Sequence, residues 1–161
     1  DLRALHCAGL PLADLDRASA ASGPARWWLL ENRASFERQA QQRVPGLALL
    51  WLPGRPSAAW LDTVSHLLAL APAPAWISAD ADPAGVDIAC TAGARWRDRG
   101  LAWEAHQMGP AELQATAQHW PLNTHDRQLL ARLLQRAELP ATLRTLLEFL
   151  TARLGALPSW E

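Results

Sequence analysis

Short apolar runs alternate with amphipathic stretches over most of this chain. The runs have the length and continuity of strands buried on both faces of a sheet. They are residues 27–30, 47–52, 73–78 and 101–105. Between them, apolar residues recur at helical spacing, as Trp60, Val64 and Leu67 do. Strands that alternate with helices over short loops predict a parallel sheet with helices on both faces and right-handed crossovers.

Turn and capping residues indicate where the predicted helices begin and end. We expect helices over residues 33–43, 57–70 and 83–99. Pro45-Gly46 ends the first, and Gly100 ends the third. After Pro110 the pattern is helical, with Asn123 or Thr124 as a cap, Pro140 in a first turn and Gly155 as a stop. The last two helices are predicted to form a hairpin that packs on the sheet without taking part in chemistry.

The length of 161 residues, half of them apolar, favours one domain with its own core. Its predicted fold is a three-layer α/β domain with a mostly parallel four-stranded sheet. Residues 1–24 lead into this domain, residues 25–108 form its core, and residues 109–161 form a helical extension.

The chain begins at Asp1 rather than methionine, consistent with a fragment of a longer protein. No run approaches the roughly 20 apolar residues of a membrane span, and no signal peptide is visible, so a cytoplasmic protein is expected.

Composition excludes several kinds of chemistry. All 15 basic residues are arginine and there is no tyrosine, so the chain supplies neither an active-site lysine nor a tyrosyl ester. The cysteines, Cys7 and Cys90, lack the spacing of a zinc site or a disulfide framework. The net charge of -1 argues against binding nucleic acid by bulk charge. Contact with DNA would require a local arginine patch or a partner.

Three acidic residues follow the ends of predicted strands. Glu31 follows the first, and Asp80 and Asp82 follow the third, one residue apart. Ligands of open parallel sheets bind outside the carboxyl ends of the strands, so the three carboxylates converge if these strands are neighbours. Hard carboxylate oxygens suit Mg²⁺, which usually keeps water ligands and contacts phosphate. The sequence therefore predicts a site for Mg²⁺, or Mn²⁺ in its place, at this edge.

Asp82 also has a purely structural interpretation. An aspartate directly before Pro83 is typical of an ordinary helix N-cap. Asp80 lies too early to cap the same helix, and two nearby carboxylates repel each other unless a cation lies between them. Both interpretations of Asp82 stay open at the level of sequence.

Three motifs in register with three strands resemble a TOPRIM domain. These are WLLEN at the end of the first strand, LPGRPS after the second and DADPAG after the third, within residues 27–105. The ENRASFE stretch and the helical tail most resemble the C-terminal domain of JetD-like proteins, also called MksG. Those are nuclease subunits of Wadjet plasmid-defence systems, which contain an SMC-like condensin. A related TOPRIM family with GxPS after the second strand is similar as well.

The resemblance implies a metal-dependent DNA endonuclease that acts on plasmid DNA with SMC-like condensin subunits. It implies that Glu31 is a metal ligand or general acid/base and that Asp80 and Asp82 bind Mg²⁺. It also implies that Gly54 permits close backbone approach at the rim of the site, and that Glu161 begins a glutamate-rich motif. Homodimerisation stays open. The alternatives are a non-catalytic TOPRIM scaffold and, with less support, a domain of the topoisomerase or primase type.

Arg33 and Arg55 lie on the predicted ligand edge and are candidates for phosphate contacts; the alternative is that both are solvated loop residues. Most tryptophans fall in strands or apolar stripes, which predicts core packing rather than base stacking. These are Trp27, Trp28, Trp51, Trp60 and Trp76. The histidines His106, His119 and His125 have no metal-ligand spacing, so we interpret them as surface or packing residues.

Overall fold

The computed structural model describes residues 23–115 and 122–155 of the chain. Within these ranges the strands are β1 (Arg26–Leu30), β2 (Leu47–Trp51), β3 (Ala75–Ser78) and β4 (Trp103–Ala105). They form one sheet in the order β2-β1-β3-β4, and every neighbouring pair is parallel. The predicted α/β fold around a four-stranded sheet is confirmed, and the sheet is wholly rather than mostly parallel.

Six helices are formed by the same described residues. They are α1 (Arg33–Gln42), α2 (Ala58–Leu70), α3 (Pro83–Arg97), α4 (Pro110–Ala115), α5 (Thr124–Leu134) and α6 (Ala141–Gly155). Four of them begin with a side-chain oxygen that accepts a hydrogen bond from the backbone N–H three residues later. These caps are Asn32, Ser57, Asp82 and Asn123.

The two faces of the sheet are covered unequally. The chain moves from β1 to β2 in one direction and from β2 through β3 to β4 in the other, so right-handed crossovers place α1 opposite α2 and α3. Alternate residues of β1 and β3 join α2 and α3 in the main hydrophobic core, whereas α1 contains no buried residue. The strand residues in this core are Trp27, Leu29, Ala75 and Ile77. The core therefore lies on the α2/α3 side.

The C-terminal helices extend this core. α5 packs on both α3 and α6, so the last two helices form the predicted hairpin. Its leucines are buried in the same hydrophobic cluster as the sheet. They include Leu129, Leu130, Leu133, Leu143, Leu146 and Leu147. The hairpin therefore packs against the core, and its predicted lack of a chemical role stays a prediction.

The tryptophans are mostly structural, as predicted. Trp27, Trp28 and Trp60 are buried, and the indole N–H of Trp27 donates to the Ala71 carbonyl at 2.9 Å. Trp76 is half-buried and stacks on the His106 ring with centroids 4.5 Å apart, so His106 is a packing residue. Trp51 is the exception, because 45% of it is exposed.

Several sequence-based expectations concern residues outside the described ranges. They are the segment 1–22, Cys7, His119 and the tail with Glu161. Among the residues that the structure does describe, no helix has the length and apolar character to cross a membrane.

Candidate functional site

Glu31 and Asp80 meet at the carboxyl edge of the sheet because β1 and β3 are neighbours. Leu30 is paired with Ser78, so the residues after both strands emerge side by side. The Glu31 N–H donates to the Ser78 carbonyl at 2.9 Å, which continues the ladder beyond β1. The Asp80 N–H in turn donates to Glu31 Oε2 at 3.1 Å. The two residues, 49 positions apart in sequence, are therefore in direct contact.

Asp82 begins helix α3. Its Oδ1 accepts a hydrogen bond of 2.7 Å from the Gly85 N–H, as in an ordinary N-cap, and Pro83 occupies the first turn. Gly85 is required for this turn, because a Cβ there would overlap the Asp80 carbonyl. The first turn of α3 therefore presses against the Asp80 backbone and holds both aspartates at the sheet edge. The structural interpretation of Asp82 is correct, and it does not exclude a second role for Oδ2.

Burial and mutual repulsion act on these carboxylates. Burial raises the pKa of Glu31, the Asp80 N–H opposes this shift, and the charges of Asp80 and Asp82 raise the pKa further. Burial also raises the pKa of Asp82, where the Gly85 N–H lowers it and the charges of Asp80 and Asp126 raise it. Glu31, Asp80 and Asp82 therefore lie near enough for their charges to repel one another. A cation among them would relieve that repulsion.

The donor atoms suit a hard divalent cation, but their arrangement is not that of a formed metal centre. Over residues 23–115 and 122–155, no three His, Cys, Asp or Glu side chains are grouped so that they could hold an ion. Two of the candidate oxygens already accept backbone hydrogen bonds, Glu31 Oε2 from Asp80 and Asp82 Oδ1 from Gly85. Binding of Mg²⁺ by all three residues would therefore use the other carboxylate oxygens, Glu31 Oε1 and Asp82 Oδ2, or replace these hydrogen bonds.

Gly54 lies beside the Glu31 carboxylate, in the loop after β2. Its φ of +60° is a left-handed conformation that favours glycine. A Cβ built on Gly54 would lie 3.8 Å from Glu31 Oε1, which places the loop backbone along this side of the carboxylate. The role predicted for Gly54, close backbone approach to a ligand, stays a prediction.

The predicted phosphate-binding arginines lie at this end of the fold but bind other partners. Arg33 begins α1, and its Nε is 2.8 Å from Glu37 Oε1 on the same exposed helix face. Arg55 Nη2 lies 3.4 Å from Asp87 Oδ2, while Arg136 Nη2 lies 3.0 Å from the other oxygen of Asp87. The Arg33 and Arg55 side chains are 75% and 68% exposed, so solvent competes for both pairs.

Two further residues at this edge were not predicted from the sequence. The indole N–H of Trp51 donates to the Glu31 carbonyl at 3.2 Å, which places the partly exposed ring next to the strand end. Asp126, in the first turn of α5, contributes charge near Asp82. Nothing in the local sequence around either residue marks its proximity, since both depend on how distant elements pack.

Comparison with known proteins gave no match to any family model, any curated protein or any solved structure. The TOPRIM resemblance therefore rests on the three motifs and the strand ends from which they project.

Proposed function

We propose that this chain is a DNA nuclease that hydrolyses phosphodiester bonds with Mg²⁺ or Mn²⁺, as the resemblance to TOPRIM and JetD-like domains implies. The observation that carries the proposal is the contact of Glu31 with the Asp80 backbone at the carboxyl ends of β1 and β3. Ligands of open parallel sheets bind at this place in the fold. The raised pKa of Glu31 and Asp82 is also common among residues of functional sites.

Each acid has a distinct part in the proposed reaction. When bound, a divalent ion lowers the pKa of a water molecule and neutralises charge on the leaving oxygen. Asp80 and Asp82 would hold the ion through the oxygens not used in capping α3. Glu31, whose raised pKa suits proton transfer, would accept or donate a proton at Oε1, on the side of Gly54. Hydrolysis is favoured over transesterification, because the chain contains no tyrosine to form a covalent ester.

The proposed setting is a plasmid-defence complex with SMC-like condensin subunits. Its support is the motif resemblance together with the net charge of -1, which supplies little non-specific attraction to DNA. Arg33 and Arg55 are exposed enough to exchange their carboxylate partners for phosphate oxygens. DNA would therefore be delivered mainly by the partner subunits and contacted locally by these arginines.

A second function, a non-catalytic scaffold with the same fold, is favoured by one observation. One carboxylate oxygen of Glu31 and one of Asp82 accept backbone N–H groups, and no three-residue metal group is formed among the described residues. A domain in which these bonds serve only to fasten the strand ends would bind a partner without cleaving DNA.

Nicking of supercoiled plasmid separates the two functions. We expect cleavage by the wild-type chain with Mg²⁺ or Mn²⁺, none with EDTA, and a loss of at least about 100-fold in Glu31→Gln and Asp80→Asn. Glu148→Gln, on the exposed face of α6, is the matched control and should cleave normally. Equal activity in wild type and site variants would refute the nuclease proposal. A folded wild-type chain without metal-dependent activity would favour the scaffold.

A further inference from the structure

Trp51 is an unusual residue for the edge of a functional site. It is one of three large apolar residues exposed in the described part of the chain, with Val44 and Leu70. Val44 lies in the turn after α1, and Leu70 ends α2, whereas Trp51 is the last residue of β2. The parallel strands bring the end of β2 beside Leu30, directly before Glu31. An exposed indole therefore lies at the same edge as the carboxylates.

The position of the indole is fixed by the backbone of Glu31. Trp51 Nε1 donates to the Glu31 carbonyl at 3.2 Å. The backbone at Leu30 and Glu31 is itself bonded to both neighbouring strands. The Glu31 N–H donates to the Ser78 carbonyl and the Leu52 N–H donates to the Leu30 carbonyl, each at 2.9 Å. An aromatic ring held in this way loses little conformational entropy when a ligand stacks on it. The N–H of Trp51 thus holds the ring at the edge of the site.

The loop after Trp51 adds the other chemistry that a nucleotide requires. Gly54 passes beside Glu31 Oε1 without a side chain, and Arg55 follows with a side chain that is 68% exposed. The stretch from Trp51 to Arg55 therefore carries a partly exposed aromatic ring, a glycine beside Glu31 and a cation whose partner, Asp87, lies 3.4 Å away and can be exchanged for phosphate. A base and its phosphate have the complementary groups.

We propose that Trp51 stacks on an unpaired base of the DNA next to the bond cleaved at Glu31. This inference rests on the proposed function and specifies its substrate class. The faces of a base inside an intact duplex are covered by its neighbours, so stacking on Trp51 requires a single strand or a locally melted duplex. The site is therefore selective for DNA that is unpaired where it is cut.

The test measures binding in a background that cannot cleave. Full-length chain carrying Glu31→Gln, with Mg²⁺ present, is titrated into a labelled single-stranded oligonucleotide, its blunt duplex, and a set of strands in which one abasic nucleotide occupies successive positions. Trp51→Ala removes the ring, and Trp51→Phe keeps an aromatic surface without the N–H donor. Leu70→Ala is the control for loss of an exposed apolar side chain at a distance from the site.

We expect Trp51→Ala to weaken single-strand binding about tenfold, within the range for base–aromatic stacking. Trp51→Phe keeps a ring but loses the N–H that positions it, so it should bind more weakly than wild type and more tightly than Trp51→Ala. Leu70→Ala should retain all of the affinity, and duplex binding should change little. One of the abasic strands should bind the protein with Trp51 about as weakly as the intact strand binds Trp51→Ala. On that strand, Trp51→Ala should cause no further loss of affinity. Unchanged binding by Trp51→Ala, or an equal loss on single strand, duplex and every abasic strand, would overturn the inference. The nuclease proposal is judged separately, by plasmid nicking in the variants of Glu31 and Asp80.

Discussion

At the scale of single residues, the site is defined by charges that the fold holds in an unfavourable environment. Glu31 is half-buried and close to two aspartates, and its pKa is raised for both reasons. A carboxylate kept in such a place lowers the stability of the metal-free protein. Such residues often serve a function that offsets their cost. Here the function would be coordination of a cation or transfer of a proton.

The metal-free protein should become less stable as the pH rises through the pKa of Glu31. Its usual value is 4.5, and the folded value is higher, so the folded state binds more protons than the unfolded state between the two values. The destabilisation by the Glu31 charge is complete above the folded pKa. We therefore expect Glu31→Gln to raise Tm at neutral pH, because glutamine can still accept the Asp80 N–H without a charge.

Thermal unfolding from pH 4 to 8 with EDTA, monitored by circular dichroism, checks this expectation. The difference in Tm between Glu31→Gln and wild type should shrink as the pH falls through the folded pKa, and it should be smallest below the usual value of 4.5, where the wild-type glutamate is protonated in both states. Glu37→Gln is the control, since Glu37 is exposed on α1. A wild-type protein more stable than Glu31→Gln at neutral pH without metal would contradict the expectation.

At the scale of elements, the start of α3 connects fold and chemistry. Asp82 caps the helix through Oδ1, Pro83 begins it, and the missing Cβ of Gly85 lets it approach Asp80. Both interpretations of Asp82 from sequence thus concern one short turn. The local pattern predicted the cap, but it could not show which oxygen the cap uses or how far Glu31 extends toward it. Those features depend on the pairing of β1 with β3, which joins residues 49 positions apart.

Two substitutions of Asp82 separate its structural role from its proposed chemical role. Asp82→Asn keeps an oxygen that can accept the Gly85 N–H. It removes a carboxylate whose raised pKa shows that its charge is unfavourable in the folded state, so without metal this variant should be at least as stable as wild type. Asp82→Ala removes the cap and should cost about 0.5 to 2 kcal/mol in urea unfolding. Both should lose most of the stabilisation that Mn²⁺ gives the wild type. A stabilisation by Mn²⁺ that is unchanged in Asp82→Asn would leave Asp82 with the cap alone.

At the scale of the whole molecule, the sequence predicted the elements better than their arrangement. The apolar runs located all four strands, although β3 begins at Ala75 rather than residue 73, since Pro72 and Pro74 lack N–H donors. Helix α3 ends at Arg97, two residues early, because the N–H groups of Arg99 and Gly100 bond to carbonyls only three residues back.

Features set by contacts between distant elements were not predicted. Trp51 ends a run typical of a buried strand, but β2 lies at the edge of the sheet and α1 covers it without a buried residue, so its ring remains partly exposed. Asp126 lies in the helical extension, and its charge raises the pKa of Asp82 only because α5 packs on α3. The exposure of Trp51 depends on strand order, and the proximity of Asp126 to Asp82 depends on helix packing. The hydrophobic periodicity of the sequence encodes neither.

The most direct measurement is a crystal structure of the chain soaked in Mn²⁺, with the ion located by its anomalous scattering. We expect an ion at the carboxyl edge of the sheet, bound directly by carboxylate oxygens of Asp80 and Asp82, next to the Glu31 side chain. An edge without an ion at saturating Mn²⁺ would contradict a metal-dependent site here.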